Sequence, residues 1–199
     1  MTLNEYKRIL AIAKAGLLYA KDEYDKERYA EIKELSLKLI NKLSVESYDK
    51  LLQLTNLDEG YPTPKVDVRG IIKKDDKILL VEDSKTKLWS LPGGFAEIGL
   101  SPEENIIKEV KEETGYDVQV NSLEGIFDTN LDTQNPQLFQ YYKLIFECSI
   151  IKGEFEKNIE TSNINFFDIQ NLPPLSEKRT TKDQLTKLLL SKSSNAYFE

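Results

Sequence analysis

Glu109, Glu112 and Glu113 occupy positions i, i+3 and i+4, a spacing that puts all three carboxylates on one face of a helix. Like charges so placed repel by about a few tenths of a kcal/mol per pair, so a helix serving only as scaffold gains nothing from them. A hard cation reverses the sign. Mg2+ takes oxygen ligands and keeps several of its waters, which suits both such a face and a phosphate-bearing substrate, and Mn2+ is the natural substitute. For the triplet alone, a solvated Glu-rich face is the plain alternative. The residues just upstream argue for chemistry: Leu91-Pro92-Gly93-Gly94 makes a turn whose glycines let backbone come close to a ligand.

The element that must carry the triplet is marked at both ends. Ser101 is an N-cap, Pro102 takes the first helical position, and Glu104 completes a capping box beside the positive helix end. Gly115 supplies the stop, and Ile106, Ile107 and Val110 are the residues that can face a core. The whole run from Gly93 to Tyr116 resembles the Nudix box: Gly, five residues, Glu, seven residues, Arg-Glu, an aliphatic, any residue, Glu-Glu, any residue, Gly, an aliphatic. Gly94 opens that pattern here and Gly115 closes it; Glu109 falls on the catalytic Glu, and Glu112 and Glu113 on the paired ones. Tyr116 takes the last aliphatic position.

Two departures matter more. Leu100 stands where the family has its first Glu, which is tied less directly to the metals than the later three, so rate and metal geometry are affected rather than reaction type. Leu100, which with Ile98 flanks Gly99 as a small apolar pair, is expected to pack against Ile98 or a neighbouring subunit. Lys108 replaces the Arg; it can pair with Glu104 or Glu112 across one turn, but as a point charge it lacks the bidentate guanidinium fork.

Composition narrows the classes. The chain has 199 residues, 40% hydrophobic and 31% charged, enough for one full domain plus a small addition. A net charge of -7 argues against nucleic acid and anionic membrane as partners on electrostatic grounds, while a nucleotide-sized substrate carried with Mg2+ stays compatible. There is no histidine, which removes the usual neutral-pH base and every Ser-His or Cys-His triad and leaves proton transfer to carboxylates. The single Cys148 lies in the apolar run Tyr142 to Cys148 and reads as a buried strand thiol. With no secretory apolar segment and no run near the ~20 residues of a spanning helix, the expected compartment is the cytoplasm.

Residues 1–60 read as helices only. Leu3, Tyr6, Ile9, Leu10, Ala13 and Leu17 recur at helical spacing, then Tyr29, Ile32, Leu35, Leu39 and Leu43, then Tyr48, Leu51, Leu52 and Leu54. Asp22 to Arg28 reads as a charge-dense bend in which Asp25 or a neighbour caps the second helix. Stripes this small bury too little alone, so they are expected to pack on a second domain or on a partner subunit, which makes a homodimer the expected assembly. Gly60-Tyr61-Pro62-Thr63-Pro64 breaks the pattern and marks the boundary.

Residues 65–199 then alternate strands with the capped helix. Val66 to Ile72 and Lys77 to Glu82 predict a hairpin; Leu88 to Leu91 leads into the glycine turn; Asp117–Val120, Leu123–Asp128, Leu138–Ser149 and Asn165–Ile169 predict further strands, and a last helix spans about Thr180 to Leu190. The predicted class is α+β, and the resemblance implies the Nudix α/β/α sandwich with a small all-helical N-terminal domain. The helical segment, Tyr61 to Gly70 and Leu172-Pro173-Pro174-Leu175-Ser176 are similar to the Nudix subfamily of X-linked nucleoside diphosphate hydrolases, which act on ADP-ribose, CDP-choline and related compounds. The motifs outside the box carry no chemistry that the residues themselves reveal.

The resemblance implies Mg2+ held by Glu109, Glu112, Glu113 and the Gly93 carbonyl, bridging a diphosphate that water attacks. Glu109 or a carboxylate outside the box must accept the proton; Glu160, in the loop before the Asn165 strand, is the outside candidate and a further metal ligand. Arg69 and Gly94 are candidate substrate-binding residues, although a structural salt bridge explains Arg69 equally well. Trp89, Phe127, Phe139 and Tyr141 could stack on a base, against the usual fate of strand aromatics as core. Competing functions are a catalytically weak nucleotide-binding regulatory module and an RNA 5′ pyrophosphohydrolase, the latter disfavoured by the acidic balance.

Overall fold

The computed structural model describes residues 2–43, 47–57, 60–132, 134–190 and 195–199. The chain forms two compact units, residues 1–64 with 138–140, and residues 65–137 with 141–199. Among the described residues no helix is long and apolar enough to cross a membrane.

The first unit contains α1 (Leu3–Tyr19), α2 (Glu23–Leu43) and α3 (Tyr48–Leu57). Thr2 and Glu5 cap α1 reciprocally. Asp22 Oδ1 accepts from Asp25 N, so the neighbour rather than Asp25 caps α2, and the charge-dense stretch after it is already helix. Gly16 lets α2 come close: a Cβ there would stand 2.4 Å from the Tyr29 ring. Leu10, Leu37, Ile40 and Leu51 make a small core, with Leu3, Tyr6, Tyr48 and Leu52 packed around it.

The second unit is built on β1 (Lys65–Lys74), β2 (Lys77–Asp83), β3 (Trp89–Ser90), β4 (Gly93–Phe95), β5 (Tyr116–Asp128), β6 (Tyr141–Gly153), β7 (Thr161–Phe167) and β8 (Tyr197–Phe198), with α4 (Pro102–Thr114) and α5 (Lys182–Leu190). The strands run in the order β3-β2-β1-β6-β5-β8, with β4 on β1 and β7 on β2. β1 and β2 form the expected hairpin, and β1 pairs in parallel with β6 from Lys65↔Tyr141 to Ile72↔Cys148.

The period of two sorts each strand between two cores. Val68, Ile72, Leu79, Phe146 and Cys148 meet Ile106 and Val110 of α4 on one side. Ile71, Ile78, Leu80 and Ile145 meet Leu185 and Leu188 of α5 on the other. The result is an α+β protein with helix layers on both faces of mixed sheet. Gly70 permits the close seat of α4, since a Cβ there would lie 3.2 Å from Val110 Cγ2.

Three strand boundaries differ from those expected. The two segments between Asp117 and Asp128 are one strand, β5, which absorbs the polar Asn121-Ser122 step through irregular register. β6 starts at Tyr141 because 138–140 belong with the helical unit. β7 starts at Thr161, four residues early, so Glu160 directly precedes a strand.

Candidate active site

α4 has the caps its sequence specifies. Ser101 N donates to Glu104 Oε2 at 2.8 Å, Glu104 N to Ser101 Oγ at 3.2 Å, and Gly115 takes a left-handed φ of 76°. Asn105, a residue the sequence did not flag, organises the loop before the helix: its Oδ1 accepts from Glu97 N at 2.7 Å and its Nδ2 donates to Leu100 O and Ser101 O. Ile98 in that loop is fully exposed while Leu100 is half-buried, so the expected Ile98/Leu100 pair does not form; the turn held by Asn105 points Ile98 into solvent.

β4 runs antiparallel to β1, with Gly93 opposite Arg69, Gly94 opposite Val68 and Phe95 opposite Asp67. Gly93 has φ 138°, and a Cβ there would fall 2.0 Å from Val68 O, so no other residue fits. At Gly94 a Cβ would stand 2.7 Å from Glu109 Oε2. The missing side chain is the space that the Glu109 carboxylate uses.

Glu113 is 7% exposed and accepts a hydrogen bond from Gly93 N at 2.7 Å. Burial pushes its carboxyl up to about 7, against the pull of Arg69 and the Gly93 N–H. Glu109, half-buried, is also raised, first by burial and then by Glu112 and Glu160, with Lys108 and Arg69 opposing. Glu112 is different: exposed, it holds Lys108 Nζ at 2.7 Å, and Lys108 also reaches Glu97 at 3.1 Å. Lys108 therefore pairs with Glu97 and Glu112, while Glu104 is taken by the cap.

A cavity of about 530 Å3 lies over this turn, walled by Arg69, Gly93, Gly94, Glu109, Glu113 and Glu160 among others. The loop carrying Glu160 is docked on α4: Asn158 Nδ2 donates to Glu112 O at 2.9 Å, and Asn158 Oδ1 accepts from Glu160 N and Thr161 N. A larger cavity of about 610 Å3 beside α5 has charged walls, but Lys187 there is paired with Asp183 and Glu199 and no glycine turn opens onto it. The glycine turn and its carboxylates open onto the smaller one.

Arg69 is only 4% exposed. Nε and Nη2 take both oxygens of Asp67, at 2.6 and 2.9 Å, and Nη1 donates to Leu91 O at 3.2 Å. Its fork is thus already filled by protein. Lys143, opposite Asp67 across the parallel β1–β6 pair, is a cavity residue the sequence reading missed; a lysine inside the apolar run Tyr142 to Cys148 was its only signal. It is 2% exposed, donates to the carbonyls of Lys178 and Arg179 at 2.9 and 2.8 Å, and burial lowers its pKa to about 8. Of the aromatic candidates, Trp89 and Phe127 are core, while Tyr141 stacks on the exposed Phe95 at the cavity, centroids 5.3 Å apart. Cys148 is buried in the α4-side core, and burial pushes its thiol up to about 12.

Among the described residues no three acidic side chains gather closely enough to make a ready-formed metal cage. The donors nevertheless suit Mg2+, which is usually held by one or two carboxylates plus substrate phosphates rather than by an all-protein cage. Glu109 and Glu113 are hard oxygen donors whose carboxyls burial holds above the usual range, and the Gly94 cradle keeps room beside Glu109.

A layered α/β domain with this glycine turn and carboxylate helix is a Nudix fold, and the chain belongs to the Nudix family: the NUDIX domain model matches residues 62–189. A second model, described as a UDP-X-like N-terminal oligomerisation domain, matches residues 2–55. The chain is a Nudix hydrolase, and such hydrolases generally use divalent metal ions. It is 46% identical to YjhB of Bacillus subtilis strain 168, provisionally named an ADP-ribose pyrophosphatase, over 94% of this chain and 89% of that protein. An ADP-ribose pyrophosphatase of Methanocaldococcus jannaschii is 34% identical over 72% of this chain and 79% of its own length. Among solved structures, a UDP-X diphosphatase is 38% identical with a TM-score of 0.67, both chains fully covered.

Proposed function

We propose that this Nudix hydrolase cleaves the pyrophosphate bond of a nucleoside diphosphate linked to a further group, of the ADP-ribose, CDP-choline or UDP-X type, with Mg2+ as its cation. One observation carries the reading. Two buried or half-buried carboxylates, Glu109 and Glu113, flank a glycine turn that only glycine can make, at a cavity of about 530 Å3. That volume suits a drug-sized ligand such as a nucleotide. The names of the relatives support the substrate class.

Glu109, Glu113 and the Gly93 carbonyl would hold the cation, with Glu112 and Glu160 on its outer side. When bound, a divalent cation neutralises charge on the phosphoryl oxygens and acidifies water. Gly93 N–H fixes one Glu113 oxygen, which leaves the other as the ligand atom. With no histidine in the chain, Glu109 or Glu160 takes the proton of the attacking water at a carboxylate oxygen, and the Asn158 tether holds Glu160 in reach. Water adds to one phosphorus and the bridging P–O bond breaks, giving a nucleoside monophosphate and the phosphorylated second group.

The test is a panel of ADP-ribose, CDP-choline, a UDP-sugar and 5′-triphosphate RNA, assayed with Mg2+, Mn2+ and EDTA. Cleavage of one or more of the small diphosphates, dependent on the cation, is expected. Turnover of the RNA alone, or of nothing, overturns the reading.

A further inference from the structure

Among the described residues four cations line the cavity, and they are not equivalent: Lys178 is an exposed point charge without a planar fork. Arg69 spends its fork on Asp67 and its remaining nitrogen on Leu91 O. Lys143 spends two donors on main-chain carbonyls. Among the described residues the Arg179 side chain has one ion pair, Nη1 to Asp83 Oδ2 at 3.2 Å, and it is 42% exposed. A guanidinium carries five N–H donors, so most of this one is unspent in the space it shares with Glu113 and Glu160.

We propose that Arg179, rather than Arg69, grips the substrate diphosphate, donating its fork to phosphoryl oxygens across the cavity from Glu109 and Glu113. This rests on the reading of the site as a diphosphate hydrolase. A wall bearing Glu109, Glu113 and Glu160 repels an anionic substrate unless cations answer it, and a planar guanidinium matches two phosphoryl oxygens at once.

The Leu172 to Ser176 motif, which has no chemistry of its own, acquires a task. Trp89 N donates to Pro174 O, Ser176 N to Trp89 O, and Leu91 N to Thr180 Oγ1, so the segment is strapped to the strand that leads into Gly93. Arg179 N then donates to Ser176 O at 2.7 Å, and Lys143 holds the Arg179 carbonyl from the other side. Asp83 fixes the side chain: its Oδ1 is occupied by Lys85 N, Thr86 N and Thr86 Oγ1, which leaves Oδ2 for Nη1. The guanidinium is held at a set place relative to the glycine turn before any substrate arrives, which is how affinity is gained without ordering a long side chain on binding.

The experiment measures KM and kcat for ADP-ribose with Mg2+, the Kd of inorganic pyrophosphate by calorimetry, and Tm, in wild type, Arg179→Gln and Arg179→Lys. Arg179→Gln should raise KM or the pyrophosphate Kd at least tenfold with little change in Tm. Arg179→Lys keeps the charge but not the fork and should lie between. If Arg179→Gln fails to fold, Arg179→Lys decides: a threefold rise or more supports the assignment and values within twofold of wild type overturn it. Both constants within twofold of wild type in Arg179→Gln also overturn it, as does a wild-type protein that holds no pyrophosphate at millimolar concentration. A wild type that binds pyrophosphate through Arg179 yet cleaves no diphosphate on the panel sinks the functional reading and leaves this one standing.

Discussion

Burial of one side chain, Glu113, ties the stability of the protein to pH. Its carboxyl, buried and raised from 4.5 to about 7, binds its proton more tightly folded than unfolded. Metal-free stability should therefore fall as pH rises from about 4.5 to about 7 and stay low above that, by on the order of 3 kcal/mol. Glu113→Gln keeps an acceptor for Gly93 N–H and removes the charge. Its metal-free Tm should exceed that of wild type at pH 8 and match it near pH 5, while kcat falls on the order of a hundredfold or more. Near-normal turnover would remove Glu113 from the site, and an unchanged Tm difference across pH would refute the burial argument. Gly94→Ala makes a complementary case, because the added Cβ meets the movable end of Glu109 rather than backbone. Melting should hardly shift while kcat drops at least about tenfold, a barrier increase of ~1.4 kcal/mol; equal loss of both would point to misfolding of the turn. The pattern of Glu109, Glu112, Glu113 and the glycines was readable because it is local. Lys108 with Glu112 was one of two local pairings the sequence offered, and the structure has it because the cap takes Glu104. What was not readable is that Asp67 takes both sides of the Arg69 fork inside the cavity wall, which depends on how the strands bury the two residues together.

At the level of elements, local signals and long-range ones part in the same way. The α4 caps and the β1–β2 hairpin follow from residues within a few positions of each other, and the structure has them as read. The parallel β1–β6 pairing joins residues some 76 apart in the chain, so Lys143 beside Asp67 has no local signature. β7 began earlier than expected for a related reason: its first residues, Thr, Ser and Asn, form a polar run in which Asn disfavours a strand, and the run is held here by pairing with Asp83 and Glu82 of β2. That early start delivers Glu160 to the cavity, with Asn158 as the only side chain clamping the turn to α4 among the bonds described. Asn158→Ala should release the turn from α4 while Ser84 still holds the Ile159 and Glu160 carbonyls, lowering kcat several-fold through a looser Glu160 while the two cores keep stability within about 1 kcal/mol of wild type. Hydrogen exchange should show faster exchange confined to residues around Glu160. A kcat unchanged by Asn158→Ala, with exchange accelerated there, would take Glu160 out of the proton-transfer role.

For the molecule as a whole, the helical unit poses the question of what covers it. Its core is Leu10, Leu37, Ile40 and Leu51 with a few partners, small for a unit of its length. Against that, Ile12, Leu18, Tyr19, Ile32, Leu35 and Leu43 are exposed. Burying an apolar side chain contributes about 1.5–3 kcal/mol, so this set left in water forfeits an amount comparable to the whole stability of a small domain. The family model for residues 2–55 is described as an oligomerisation domain, and a second copy of the same unit is the partner expected to supply matching apolar residues by symmetry. The chain is therefore expected to sediment at twice its monomer mass at micromolar concentration. Leu35→Asp places a charge among these side chains and should shift the population to monomer with helicity retained. Because the residues proposed for catalysis all lie in the second unit, the monomeric variant should keep kcat per chain within about twofold. A wild-type chain that sediments as a monomer, or a Leu35→Asp dimer as tight as wild type, would move the interface away from this surface, and loss of kcat together with dimerisation would mean that the second copy reaches the site.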